Sequence, residues 1–151
     1  MNIPTQMAAV LLGLLGGALL LIAMGLVPYW QSLDPTEFTE LFRENSPIIA
    51  GIMMPLGFTA AGLTWLATGL AVWKKLPSRY WLIAASVCAL YMLITFPVYF
   101  RETNAALAGS SMNAPEIVDE LSQWQRVHWV RTSAAIVGCL CAVRAGYAKS
   151  A

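Results

Sequence analysis

Three stretches without a single charge constrain this chain most: residues 1–33, 45–73 and 80–100. A fourth, 132–143, is shorter and reaches spanning length only if residues 127–131 join it. Crossing a bilayer takes ~20 mostly apolar residues in a helix, and backbone in hydrocarbon must satisfy its own hydrogen bonds. The expectation is an all-α integral membrane four-helix bundle with spans at about 7–30, 48–73, 80–100 and 127–147, all in one domain, 1–151. Composition agrees: 11% of residues are charged, against about 25% in a soluble domain. The first run carries no Lys or Arg and is longer than the apolar core of a secretory signal, so a membrane helix is expected there despite Ala23-Met24-Gly25.

The charges are sorted between the two ends of such a bundle. All eight acids fall between spans one and two or between three and four. Lys74, Lys75, Arg79, Arg144 and Lys149 fall on the other side with no acid among them. Basic loops stay in the cytoplasm. The expected placement is therefore the cell inner membrane, both termini cytoplasmic and the acidic loops outside. No basic patch for nucleic acid is present. Membrane lipid is the expected surrounding, and assembly as a homo-oligomer or in a larger membrane complex is left open. Cys88, Cys139 and Cys141 all lie in apolar runs and read as packing residues.

Gly13 and Gly17 form a G-x-x-x-G pair suited to close helix approach. Asp34-Pro35-Thr36-Glu37 is a capping signature, and Phe38, Leu41 and Phe42 follow at helical spacing. This predicts a short amphipathic helix in the first outer loop. Pro55 predicts a kink in the second span, and Thr64 and Thr68 are expected to bond back to helix carbonyls. Pro97 bends or ends the third span, leaving Tyr99 and Asn104 at a loosened outer end, where Tyr99 is a candidate substrate contact. Asn113-Ala114-Pro115-Glu116 restarts a helix that extends span four outward, from about Pro115 to about Tyr147.

That last helix carries the only histidine. Trp124, His128 and Arg131 stand at i, i+4 and i+7, on one face. An ionisable residue at membrane depth is costly and marks a candidate site. Arg131 is expected to pair with Glu102, Asp119 or Glu120, or to reach the headgroups. Taken together, the face offers a base that ordinarily titrates near neutral pH, a fixed cation and an aromatic wall, beside Asn104. That set suits a planar, weakly acidic organic molecule, aromatic or quinol-like. His128 would accept its proton, Arg131 would stabilise the anion, Asn104 would bond an oxygen and Trp124 would stack on the ring. No metal site is expected, because one His with scattered acids lacks ligand spacing. The bland alternative is a scaffold or accessory subunit in which the motif locks helix four to helix three.

The pattern resembles the anthrone oxygenase-like family of small four-helix membrane proteins. The likeness rests on Val27-Pro28 closing helix one, the F-x-x-L-F segment from Phe38 to Phe42, and a proline at the start of helix two. It continues with Thr95-Phe96-Pro97 followed by Asn104, and with W-x-x-x-H-x-x-R from Trp124 to Arg131. The resemblance implies roles for Pro97, Asn104, Trp124, His128 and Arg131. It also implies oxidation of an anthrone to an anthraquinone by dioxygen, with no metal or flavin cofactor.

Overall fold

The computed structural model describes residues 3–109 and 112–148. Ser110 and Ser111 of the expected second outer loop, and Lys149 of the basic C-terminus, lie outside the described residues. Four helices follow one another: α1 (Ile3–Gln31), α2 (Pro35–Trp73), α3 (Arg79–Ala108) and α4 (Ala114–Tyr147). Among the described residues there is no strand. Each helix packs antiparallel on the next, and α4 closes the ring on α1. The expected all-α bundle is thus the fold. α1, α2 and α3 are long and apolar enough to cross a membrane. α4 does not meet that measure, since acids fill its first turns and Arg131 and Arg144 bracket its apolar part.

The topology gathers the acids at one end of the bundle and Lys74, Lys75, Arg79 and Arg144 at the other. At the acidic end both incoming helices are capped as the sequence predicts. The Asp34 carboxylate accepts from the Thr36 N–H at 2.9 Å. Asn113 and Glu116 form a reciprocal capping box at 3.1 and 2.8 Å.

Three expectations change. The amphipathic segment of the first outer loop is not a separate helix but the start of α2, which runs unbroken for 39 residues through Pro47 and Pro55. Both prolines sit on the exposed face, so the carbonyls they leave unpaired are not trapped inside the bundle. A helix of that size is about 58 Å long, about twice the ~30 Å hydrocarbon layer, so its first turns stand clear of the span. Pro97 does not end α3, which runs on to Ala108, whereas α1 ends at Gln31, about where expected. Each helix has a π-helical turn at or before its proline: Phe96–Phe100 holds Pro97, and Ile22–Leu26 precedes Pro28. The Val27 N–H reaches back to the Ile22 carbonyl, and the Arg101 N–H to that of Phe96. Asn104 is therefore held in a helix. Finally, the close approach is not made by the Gly13/Gly17 pair: a Cβ on Gly17 would meet nothing within 4 Å. Gly13 and Gly16 face α4 instead, and Gly138 of α4 faces Cys88 of α3.

Thr64 bonds back to the Ala60 carbonyl at 2.7 Å, as expected. Thr68 does so to Thr64 at 2.8 Å and also ties α2 to α3 through Ser86 Oγ at 2.7 Å. The cysteines are free; Cys139 Sγ donates to the Ala9 carbonyl at 3.5 Å.

Candidate functional site

His128 projects from α4 into the bundle and is 1% exposed. Its Nε2 lies 3.0 Å from the backbone carbonyl of Leu19 on α1. A carbonyl can only accept, so Nε2 carries the hydrogen. In the neutral ring the lone pair then belongs to Nδ1. That atom is buried and has no hydrogen-bond partner among the described residues. The ring plane is fixed as well: Trp124 stacks on it at 4.6 Å and 12°, and Phe100 meets it edge-on at 6.2 Å.

Trp124 is fixed in turn. Its indole N–H donates to Asn104 Oδ1 at 2.8 Å. Indole nitrogen only donates, so the amide oxygen of Asn104 faces it and the amide NH2 remains as a donor elsewhere. Trp30 and Phe100 pack against Trp124 edge-on at 5.8 and 5.3 Å. Buried aromatic plates at steep angles stabilise each other but leave wedges of unfilled space.

Arg131 lies one turn below His128. Its guanidinium carbon sits 5.0 Å from the Phe100 ring centroid, a cation–π distance. Its Nε is buried without a hydrogen-bond partner among the described residues. Among the described residues it makes none of the expected ion pairs. Glu102 and Asp119 point to the exposed surface, and Glu120 accepts the Tyr99 hydroxyl at 3.2 Å. Three turns of helix separate the acids on α4 from Arg131, which is why the sequence distance misleads.

These groups surround a chamber of about 60 Å³, whose walls include Leu19, Trp30, Phe42, Asn104, His128 and Arg131. Next to it lies a groove of about 420 Å³ between α2 and α3. The two share Met53, Met54, Phe96 and Arg131 as common wall. The chamber alone suits a molecule the size of dioxygen or a few waters; the groove falls in the ~300–1,000 Å³ range of small-molecule sites.

The fold thus brings His128, Arg131, Asn104 and Trp124 into one chamber. Pro97 lines the adjoining groove instead. Tyr99 lines neither space. The π turn advances the register by one residue, so Phe100 takes the inward position and Tyr99 turns to Glu120. Sequence reasoning missed Phe100, Trp30, Phe42 and the Leu19 carbonyl. Trp30 stood only at the expected end of the first span, and Phe42 carried its signal only in its spacing with Phe38. A backbone carbonyl carries no side-chain signal at all. Among the described residues, no three metal-binding side chains converge.

In a comparison with known families, the model described as anthrone oxygenase aligns with residues 46–141, well over half of the chain. The aligned segment holds the chamber walls from Ser46 to Arg131, while Leu19, Ile22, Trp30 and Phe42 fall outside it. No curated protein and no solved structure matches the chain.

Proposed function

The chain belongs to the anthrone oxygenase family, and from that premise we propose that it oxygenates an anthrone-like, phenolic or quinol substrate without a cofactor. One observation carries the reading. His128 is locked by the Leu19 carbonyl into the tautomer whose free lone pair, on Nδ1, is buried and unpartnered in a chamber it shares with the equally unpartnered Nε of Arg131. Unpaired buried polar atoms cost stability. Two of them at one small chamber fit a site shaped for a ligand that supplies the missing partners.

In this reading Nδ1 takes the proton from the carbon opposite the carbonyl of an anthrone. The charge spreads to the carbonyl oxygen, where Arg131 and the free NH2 of Asn104 stabilise it. Dioxygen adds at the deprotonated carbon, and His128 returns its proton to the peroxide. Loss of water then leaves the second carbonyl. One anthrone and one dioxygen give one anthraquinone and one water. The rings exceed the small chamber and extend into the groove between α2 and α3, with Trp124 and Phe100 holding the imidazole in place.

The setting is the cell inner membrane, with the acidic end outward and the basic end cytoplasmic by charge asymmetry. The burial and stacking of His128 also favour a second reading, a scaffold residue joining α4 to α1. His128→Gln separates the two, because Gln keeps an N–H donor but has no basic lone pair. With purified protein in detergent and 9(10H)-anthrone as substrate, the expected loss in quinone formation is about 10²–10⁴-fold, with unfolding temperature near wild type. Unchanged turnover, or a wild type that never exceeds the buffer rate, rejects the enzyme.

A further inference from the structure

The chamber is closed toward the acidic end. Beyond Trp124 the bundle is filled by Phe38, Leu107 and Leu121, which are 1%, 0% and 4% exposed. It is open sideways. The groove that shares its wall is made by α2 and α3, with no residue from α1, and Met54, Phe58 and Pro97 at its rim are exposed on the membrane-facing flank. The way into the site is therefore lateral, between α2 and α3.

Two cations line this otherwise apolar groove, Arg101 from α3 and Arg131 from α4. No acid lines it. Among the described residues neither arginine side chain has a hydrogen bond or ion pair to a protein group; the Arg131 guanidinium lies over the Phe100 ring. The remaining walls are methionine, phenylalanine, leucine, proline and glycine, which fit a flat ring. Arginine suits an anionic oxygen pair because its planar fork can donate two parallel hydrogen bonds.

We propose that the groove between α2 and α3 is the substrate's binding site and its portal from the bilayer, and that Arg101 selects aromatic molecules bearing a carboxylate. The proposal rests on the oxygenase reading only for calling the occupant a substrate; binding itself is independent of turnover.

The geometry gives two separate handles. Arg101→Gln removes the cation and leaves the walls. Gly57→Leu fills the groove, and a Cβ at Gly57 meets no heavy atom within 4 Å, so the backbone tolerates it. The test uses full-length protein in phosphatidylcholine nanodiscs, with 9-anthracenecarboxylate and its neutral analogue 9-anthracenemethanol titrated by fluorescence. Wild type should prefer the carboxylate about tenfold. Arg101→Gln should abolish that preference while leaving the alcohol's Kd unchanged, and Gly57→Leu should weaken both probes. Equal affinities in wild type, or an Arg101→Gln protein that keeps the preference, overturn the proposal; the latter is also the outcome if Arg101 serves only a lipid phosphate. His128→Gln should retain both affinities. An inactive wild type that still shows the Arg101-dependent preference rejects the oxygenase reading alone, and an active enzyme indifferent to Arg101 rejects the selection alone.

Discussion

At the basic end of the bundle, Ala67, Ala71, Ala85 and Ala142 are fully buried, and α4 comes so near α3 that a Cβ on Gly138 would stand 3.1 Å from that of Cys88. At the acidic end, Trp30, Phe42, Phe100 and Trp124 hold the same helices apart around a chamber. Lipid gives helices little hydrophobic reason to associate, so close contact between small residues carries much of the binding between them. The small-residue half can therefore hold the bundle together while the aromatic half keeps an unfilled, unsatisfied space. Site and scaffold are divided along the helix axes.

That division breaks if the same substitution acts alike at both ends. Gly138→Leu should cost about 1–3 kcal/mol through overpacking against Cys88 and the Ala85 carbonyl. Gly57→Leu, into open groove, should be neutral or gain up to about 1 kcal/mol from helix propensity. Thermal unfolding in detergent compares them directly; similar losses for both would mean the acidic half is packed as tightly as the basic half.

A smaller effect sharpens the aromatic half. Asn104→Leu leaves the Trp124 indole N–H without its acceptor, which should cost about 1–2 kcal/mol. In a Trp124→Phe background the same change should cost much less, since no donor remains to be stranded. Additive losses would show that the hydrogen bond contributes nothing to the site's rigidity.

The smallest effect lies in the basic turn. Lys75 closes α2 with φ of 51°, in the left-handed region, while the Leu76 N–H bonds the Ala71 carbonyl at 2.8 Å. Lys75→Gly should raise stability by about 0.5–1 kcal/mol, the relief of that conformation less the extra freedom of the unfolded chain. No gain would place the limiting weakness of the scaffold elsewhere.

Much of the bundle was legible in the sequence because charge-free length alone dictates membrane helices, and the caps at Asp34 and Asn113 are local. Of the two outcomes the sequence offered for Pro97, ending the helix did not occur, for a physical reason: a helix among helices can absorb a lost bond in a π turn, whereas propensity assumes an isolated chain. The grouping of Trp124, His128 and Arg131 was legible because it is one face of one helix. Their partners were not, since Leu19 and Phe100 arrive from other helices and Leu19 contributes only a carbonyl. The π turn that exchanges Tyr99 for Phe100 is invisible to any regular periodicity.

The central claim is that Nδ1 of His128 is a working base. Deprotonation can be isolated from oxygenation by leaving dioxygen out. Under strict anaerobiosis in deuterium oxide, wild-type protein should accelerate exchange of the acidic C–H of 9(10H)-anthrone, and His128→Gln should return it to the buffer rate, a loss of about 10²–10⁴-fold. Exchange by His128→Gln as fast as by wild type, or a wild type that forms quinone in air without accelerating exchange, would contradict the claim.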